Sequence, residues 1–411
     1  MAEGWSLFFI GLDGFKSVNE TYGHDAGDAL LIAVGQALRS CVDDDQMAAR
    51  VGGDEFVLIS DEPTAHLLKR ISNGLIDPFE ISGRRIQVSA SIGHLQIDDA
   101  SGDASTLLAD AEFALRHVKS LGGHRALGYS STLREGQDLQ EHLQRDLAEA
   151  MRSGQIEPWF QPQVRLADGQ LHGAEILVRW QHPTRGLLTP DVFLPVAERA
   201  GMMVDLDHAV WERAMDLAHG WQTAGLWQPV LSLNAAPETI SDPLLIERFL
   251  IKLHRHSIGA DQIVIEVIED TLIDGKDDMA TINIDSLSEA GIKLELDDFG
   301  TGYGFLSKLV KLPIDGIKLD RSLISPLPEK STDTVVRAML ALATELGLHV
   351  VAEGIEDATQ MRHLNNLGCG YGQGFGFARP MPPDAFAAWL GEHAERPINI
   401  PASLAGKTAQ A

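Results

Sequence analysis

Residues 292–300 read "IKLELDDFG", a short apolar run that ends in two adjacent acids. The same rhythm recurs from residue 156 onward in "GAEILVRW", "VLSLNAA", "IVIEVIED", "DGIKLD" and "HVVAEGIE", and each run is followed by a helical stretch. About seven or eight such units, at intervals of roughly 20 to 60 residues, are typical of strands and helices that close into a barrel. The second part of the chain is therefore predicted to be an α/β barrel.

The first part of the chain has a different pattern. Between residues 5 and 126, strand-like runs such as "WSLFFIGLD" and "AARVGGDEFVLIS" alternate with helical ones such as "DAGDALLIAVGQALRSCV". These runs favour a small α+β sandwich that contains a hairpin with "GGDE" at its turn.

The patterns divide the chain into four segments. Leucine or methionine recurs every four residues in the connecting stretch, which predicts an amphipathic helix through Leu139, Leu143, Leu147 and Met151. The last residues have lost periodicity and are expected to be mobile. The predicted segments are the sandwich at 1–126, the linker helix at 127–154, the barrel at 155–393 and the tail at 394–411.

Composition excludes several classes of function. The net charge of −26 over 411 residues argues against a nucleic-acid duplex as partner, because phosphate contacts need clustered Lys and Arg. Two cysteines, Cys41 and Cys369, cannot form a disulfide framework, which fits a reducing compartment. No apolar stretch approaches the roughly 18 residues that span a bilayer, and the N-terminus lacks the basic start of a secretory signal. A cytoplasmic protein without a membrane segment is expected.

Polar side chains lie in or at the ends of the strand-like runs of the predicted barrel. Because strand C-termini meet at one mouth of a parallel barrel, these side chains should gather there. The set is Glu175, Asn234, Glu266, Asp297, Asp298 and Glu353, with Lys318 inside a further run.

Such a cluster needs a source of positive charge. Carboxylates in one dry pocket repel each other, and an unpaired buried charge costs several kcal/mol. Carboxylates together with an amide suit Mg²⁺ or Mn²⁺ better than zinc. The adjacent pair Asp297–Asp298 favours two metals, which together activate water for attack on a phosphoryl group.

These residues belong to longer motifs. The stretches "GAEILVRWQHPTRGLLTPDVFLPVAERAG", "LDDFGTGYGFLSKL", "IKLDRS", "VVAEGIE" and "GYGQGFGFARP" resemble, in the same order, the motifs of EAL-domain cyclic-di-GMP phosphodiesterases. The resemblance covers residues 156 to about 390. It implies a TIM-like (β/α)8 barrel, a homodimer formed through this domain, and cleavage of cyclic-di-GMP to linear pGpG.

The resemblance also assigns roles by position. The ligands that it implies for a first metal are Glu175, Asn234, Glu266 and Asp297. The neighbourhood that it implies for a second metal is Asp297, Asp298 and Glu353. Lys318 matches the lysine that contacts the attacking water, and the catalytic set becomes Glu175, Asp298, Lys318 and Glu353. Glu269 matches a glutamate that steadies the loop after the Asp pair, and the implied substrate contacts are Gln161, Arg179 and Gln373.

Two departures from the family pattern stand in this half. Ile176 occupies a position where alanine is usual, and it should face the helix layer because its neighbour Glu175 points inward. Gly304 and Phe305 stand where the family usually has two serines. In the family this loop helps to link dimer partners to the metal site, so the resemblance implies that the change bears on coupling between subunits.

The first half resembles a GGDEF domain, the domain of diguanylate cyclases, through "FKSVNETYGHDAGD" and "VGGDEF". The implied nucleotide contacts are Asn19 and Asp28, which match the pair that reads guanine, together with Gly52, Gly53, Asp54 and Lys119. The resemblance also implies a leading helix before the first strand, but only about seven residues stand there, so an N-terminally shortened domain is expected.

Further departures weaken the cyclase reaction. Gly11 stands where the family has a metal-binding aspartate, with Asp13 as the second acid of that pair. Gly123 replaces a phosphate-gripping arginine, and the product-inhibition motif is absent, with Asp43 and Gln46 at its two ends. Phosphoryl transfer depends on positioning and charge neutralisation, so each loss counts against it. A degenerate domain that binds GTP and regulates the barrel is expected.

Two other functions stay open. One is a bifunctional enzyme that both makes and degrades cyclic-di-GMP, which would need metal held without a carboxylate at Gly11. The other is a non-catalytic receptor that binds cyclic-di-GMP and signals by contact, although such proteins usually lose barrel acids.

Overall fold

The structure is a computed structural model that describes residues 4–97, 103–226, 230–268, 278–299, 312–393 and 396–398. The chain forms two compact units, Met1–Glu141 and His142–Ala411, called here the first unit and the barrel unit. Among the helices described, none combines the length and the apolar character that a membrane crossing requires.

The first unit is built on a five-stranded sheet in the order β2-β3-β1-β6-β7, with a separate β4–β5 hairpin. Its strands are β1 (Ser6–Asp13), β2 (Met47–Gly52), β3 (Glu55–Ser60), β4 (Phe79–Ile81), β5 (Arg84–Ile86), β6 (Ser89–Gln96) and β7 (Ala126–Gly128). Its helices are α1 (Phe15–Tyr22), α2 (His24–Arg39), α3 (Thr64–Gly74) and α4 (Ala104–Ser120).

Alternation along β1 explains how helices cover both faces of this sheet. Phe8 and Ile10 belong to one core cluster, which includes residues of α2 and α3. Leu7 and Phe9 belong to the other, which includes residues of α4. Successive side chains of a strand point to opposite faces, so Gly11 lies on the α4 side with Leu7 and Phe9. The predicted α+β sandwich is confirmed.

Helix α5 (Ser131–Arg152) lies on the segment predicted as a linker helix. Leu143 and Leu147 are fully buried, as expected for the apolar stripe of an amphipathic helix. His182, on a strand of the barrel unit, lies 3.3 Å from the Asp146 carboxylate of this helix.

The barrel unit has nine described strands. They are β8 (Ile156–Arg165), β9 (Leu171–His182), β10 (Gly186–Leu188), β11 (Val230–Ala235), β12 (Ile263–Ile268), β13 (Lys293–Phe299), β14 (Gly316–Leu319), β15 (His349–Ala352) and β16 (Tyr371–Gly372). The described helices are α6 (Pro190–Arg199), α7 (Met203–Thr223), α8 (Pro237–Ile240), α9 (Leu245–His256), α10 (Met279–Glu289), α11 (Arg321–Ile324), α12 (Lys330–Leu346), α13 (Ala358–Asn366) and α14 (Pro383–His393).

Eight of these described strands close into a barrel, and β10 extends β9 as a hairpin. Strands β9 and β11 to β16 are parallel neighbours, whereas β8 pairs antiparallel with both β9 and β16. The predicted TIM-like barrel is confirmed, with its first strand reversed. Residues 166–170 are too short for the crossover of a dozen or more residues that parallel strands need, so they form a hairpin.

Charged side chains interrupt the apolar strands at positions that face the barrel interior. In β12, "IVIEVI", five of six residues are buried, and Glu266 is among them. Lys318 lies within the fully buried strand β14. Parallel strands that are covered on both faces are typically apolar throughout. Glu266 and Lys318 depart from that pattern and therefore mark a candidate functional site.

Candidate active site

Lys318 is the centre of the charged cluster at the mouth of the barrel. Only 1% of its side chain is exposed. Its Nζ lies 2.7 Å from Glu353 Oε1, 2.8 Å from Glu266 Oε2, 3.1 Å from Asp297 Oδ1 and 3.4 Å from Glu175 Oε1. Strands β9, β12, β13 and β14 and the residue after β15 thus bring their charged groups together, as the strand pattern predicted.

Amide side chains surround Glu175, which is buried. Asn234 Nδ2 donates to Glu175 Oε1 at 3.1 Å, and Gln373 Nε2 donates to the other carboxylate oxygen. Gln373 Nε2 also donates to Gln161 Oε1 at 3.0 Å, and Gln161 Nε2 donates to the carbonyl oxygen of Ala378 at 3.1 Å. Of the two glutamines predicted to contact substrate, Gln373 therefore bonds to this acid directly and Gln161 is joined to it through Gln373.

Three carboxylates form a group that fits a metal ion. Asp297, Asp298 and Glu353 each offer one oxygen, and these oxygens lie within 4.8 Å of one another. Asp298 has a φ of 54°, in the left-handed region where a non-glycine residue is uncommon, and its N–H donates to Asp297 Oδ1. Within the described residues, Glu266 Oε1 is buried without a hydrogen-bond partner. Oxygen donors of this kind are those that Mg²⁺ and Mn²⁺ prefer.

Burial acts to raise the pKa of every acid described here, but the net shift differs from one acid to another. Burial raises the pKa of Glu266 well above its ordinary value, and Lys318 only partly offsets it. Burial likewise raises the pKa of Glu353 to about 7. At Glu175 burial also acts upward, but Lys318 and the hydrogen bonds from Gln373 and Asn234 outweigh it, so the pKa falls.

The lysine itself is held as a cation. Burial alone would lower the pKa of Lys318, but the surrounding carboxylates, Glu175 and Glu266 first, raise it well above its ordinary value. The sequence predicted acids that repel each other unless divalent metal is present. The structure shows that one ammonium group already offsets part of this repulsion, while several carboxylates leave a surplus of negative charge that a cation would neutralise.

Arg179 lies beside a residue that sequence reasoning missed. Its guanidinium is 5.5 Å from the centre of the Trp159 ring, and burial lowers its pKa while Glu175 acts in the opposite direction. The Trp159 Nε1 is buried and has no partner among the described residues. Trp159 precedes Gln161 by two positions on β8, so strand periodicity could have placed both on one face.

Ile176 faces the helices, as predicted. It lines an apolar cavity with Leu194 of α6 and Val210 of α7, beside Asn234 and Asp297. The isoleucine side chain is larger than the usual alanine, but because the extra atoms lie on the helix side, the charged cluster stays intact.

The predicted nucleotide site of the first unit has one ion pair. Lys119 Nζ lies 3.8 Å from Asp54 Oδ2, and a Cβ added at Gly11 would come within 2.7 Å of the same nitrogen. The ammonium group therefore occupies the space beside the missing carboxylate. Asp13 is engaged elsewhere, because it accepts hydrogen bonds from Ser91 Oγ at 2.7 Å and from Ser89 Oγ at 3.2 Å.

The remaining predicted contacts of the first unit lie on α1, on α2 and at the β2–β3 turn. Asn19 packs over Gly27, the residue before Asp28, and Asp28 is exposed on α2. Gly52 and Gly53 are exposed at the β2–β3 turn, where Gly53 has a φ of 51°.

Three residues that the sequence singled out, Glu269, Gly304 and Phe305, lie outside the described residues. The role inferred for Glu269, and the effect of the loop substitutions on subunit coupling, remain predictions.

Comparison with known proteins agrees with this geometry. The family model described as "EAL domain" matches residues 144–380, and the one described as "Diguanylate cyclase, GGDEF domain" matches residues 2–125. A solved structure described as "PaMucR Phosphodiesterase, c-di-GMP complex" is 34% identical with a TM-score of 0.56, over 60% of this chain and 99% of that one.

Two curated relatives from Pseudomonas aeruginosa match both units. "Cyclic di-GMP phosphodiesterase NbdA" is 36% identical over 94% of this chain and 50% of its own length. "Bifunctional diguanylate cyclase/cyclic di-GMP phosphodiesterase MucR" is 36% identical over 93% of this chain and 57% of its own length. The chain thus spans about half the length of these relatives.

Proposed function

The chain belongs to the EAL domain family, and from this premise we propose that its barrel unit hydrolyses cyclic-di-GMP to linear pGpG with the help of divalent metal. The observation that carries the proposal is the convergence of Lys318 with Glu175, Glu266, Asp297 and Glu353 at one point. A receptor that only binds the dinucleotide has no need of so costly a group of buried charges.

The acids would hold two cations, Mg²⁺ or Mn²⁺. The ligands proposed for the first are Glu175, Asn234, Glu266 and Asp297, and those proposed around the second are Asp297, Asp298 and Glu353. Bound divalent cations polarise a phosphoryl oxygen and lower the pKa of a bound water. The 4.8 Å grouping of Asp297, Asp298 and Glu353 supports the second position.

Lys318 orients the attacking water as a hydrogen-bond donor. Its raised pKa keeps it protonated at neutral pH, so it does not serve as the general base. Glu353 Oε1 lies 2.7 Å from Lys318 Nζ, so its carboxylate can reach the same water and accept its proton.

The substrate would lie over Glu175. Gln161 and Gln373 already form a hydrogen-bonded pair there, so their amides need little rearrangement to contact the dinucleotide. Arg179 offers a planar fork suited to a phosphate, and its stacking on Trp159 orients that fork.

The first unit would bind GTP through Asn19 and Asp28 and act as a regulator of the barrel, without cyclising the nucleotide. The Lys119–Asp54 pair beside Gly11 supports the loss of the cyclase reaction, since the space next to the absent carboxylate already contains an ammonium group. A homodimer through the barrel unit completes the proposal.

The direct test is incubation of the full chain with cyclic-di-GMP and Mg²⁺ or Mn²⁺, followed by chromatography of the products. The expected product is linear pGpG, formed with metal and not in EDTA. Intact dinucleotide that stays bound in the presence of Mn²⁺ would favour the receptor instead. Cyclic-di-GMP formed from GTP by a Glu175→Ala variant would show that the chain is bifunctional.

A further inference from the structure

Asn234 is the amide among the proposed metal ligands, and it is exposed although its neighbours on β11 are buried. Its Nδ2 donates to Glu175 Oε1 at 3.1 Å and to the carbonyl oxygen of Ile176 at 3.4 Å. The Oδ1 atom is therefore the one left to face a cation. The paired register with β12 continues through Asn234 and Ala235, but the register with β9 ends at Leu233, so on that side contacts from outside the sheet can help to hold Asn234.

Helix α7 supplies such contacts. Trp211 Nε1 donates to the carbonyl oxygen of Asn234 at 3.0 Å. Asp207 Oδ2 accepts from the N–H of Ala236 at 2.9 Å and from Thr239 Oγ1 at 2.6 Å. Residues four apart lie on one face of a helix, so Asp207 and Trp211 approach the same segment together. Trp211 thus holds the carbonyl group of Asn234, and Asp207 holds the N–H group of Ala236, two residues later.

The Trp211 side chain, which donates to Asn234, is itself held in place by packing. Trp211 is fully buried, with its ring edge-on to Phe249 at 5.2 Å and to His208 at 5.4 Å. Thr239, the second donor to Asp207, is also fully buried. A side chain locked by packing transmits its hydrogen-bond geometry to its partner with little freedom, as outer-shell partners of metal ligands do.

We propose that Trp211 and Asp207 are positioning residues, which hold Asn234 so that its Oδ1 faces the cation of the barrel. The inference rests on the proposed function, because it takes Asn234 as a metal ligand. A role in packing alone would make the same residues matter for the stability of the fold but not for metal affinity, and this difference can be measured.

The first test is Trp211→Phe in the full chain, with Mn²⁺ affinity measured by titration calorimetry. The barrel sites are identified as those lost in Glu266→Gln. This change removes the indole N–H and keeps an aromatic ring. We expect affinity for Mn²⁺ at the barrel to fall about 10-fold, which is typical when an outer-shell partner is lost. The Mn²⁺ concentration for half-maximal hydrolysis should rise by a similar factor, with the rate at saturating Mn²⁺ retained.

The matched control is Trp221→Phe, on the same helix. Trp221 is buried and packs against Phe160 and Phe386, away from Asn234. The Trp221→Phe variant should lower the melting temperature by an amount comparable with Trp211→Phe and leave Mn²⁺ affinity unchanged. Equal affinities of the unchanged chain and Trp211→Phe, or equal losses in the two tryptophan variants, would overturn the inference.

A second pair of variants tests the positioning role of Asp207. Asp207→Asn keeps an oxygen that can accept both hydrogen bonds and should retain Mn²⁺ affinity, whereas Asp207→Leu should lose it. If the unchanged chain binds no Mn²⁺ at its barrel, the proposed function and this inference fail together. If it binds Mn²⁺ but Asp207→Leu binds equally well, the positioning role of Asp207 alone is overturned.

Discussion

Each unit of this chain places a lysine beside carboxylates, and the two arrangements differ in charge balance. In the barrel, Lys318 is fully buried and lies within 3.4 Å of four carboxylates. In the first unit, Lys119 is 38% exposed and lies 3.8 Å from one carboxylate, Asp54, with Gly11 in place of a second. The carboxylates around Lys318 outnumber its single positive charge, so this cluster can attract a cation, whereas the Lys119–Asp54 pair has one charge of each sign. The number of acids around each lysine, rather than the lysine itself, would then separate the proposed metal site from an ion pair.

Removal of the barrel lysine should have the largest effect. Lys318→Met takes away the proposed hydrogen-bond donor to the attacking water and leaves buried acids unpaired. Turnover should fall below detection, and the metal-free chain should lose about 3–5 kcal/mol of stability, the usual cost of breaking a buried ion pair. Added Mn²⁺ should recover part of that stability. Denaturant unfolding with and without Mn²⁺ checks this, and an unchanged stability would show that Lys318 does not balance the acids.

Loss of a single acid should reduce turnover without a comparable loss of stability. Glu353→Gln keeps the size of the side chain and removes its charge, so cation binding and proton acceptance both suffer. We expect a fall of at least about 100-fold in kcat, the lower range for loss of a general base. A steady-state assay at saturating Mn²⁺ measures it. A rate close to that of the unchanged chain would remove Glu353 from the mechanism.

The surplus charge should make metal binding depend on pH. Glu353, with its pKa raised to about 7, is protonated below pH 7 and must lose the proton to contact a cation. Mn²⁺ affinity should therefore rise as pH increases from 6 to 8, and binding should release protons. Calorimetry in buffers of different ionisation enthalpy counts those protons. In Glu353→Gln the pH dependence should become flatter, and a profile that stays as steep would assign the titration to another group.

The smallest expected effect is the gain of a weak metal site in the first unit. Gly11→Asp adds the second carboxylate beside Asp54, and the new Cβ would meet the flexible end of Lys119, which can move aside. We expect one additional weak Mn²⁺ site per chain. Gly11→Asn adds a side chain of similar size without charge and is the control. Equal Mn²⁺ stoichiometry in the two variants would show that charge balance alone does not decide between the two arrangements.

Much of the fold followed from periodicity. The apolar runs that end in Glu266, Asp297 and Glu353 recur with helical stretches between them, and this rhythm predicts a barrel with its acids at one mouth. The reversed strand β8 could not be found this way, because an apolar run reads alike in either direction. Only the short connection at residues 166–170 carries the signal for a hairpin.

The candidate site was predictable as a set of residues but not as a network. Trp159, Asp207 and Trp211 carry no motif, and each looks like an ordinary core or helix residue in the sequence. Their relevance appears only where Trp159 lies beneath Arg179 and where Trp211 reaches the carbonyl of Asn234.

The sequence by itself determined which oxygen donors the chain carries, the strands that bear them and the acid that the first unit lacks. Tertiary structure alone decided that Lys318 meets four acids from distant segments, that the Asn234 amide turns its nitrogen to Glu175, and that Lys119 lies beside Gly11. The physical reason is that ion pairing and pKa depend on distance through space and on burial. Both arise from barrel closure and helix packing, which join residues far apart in the chain.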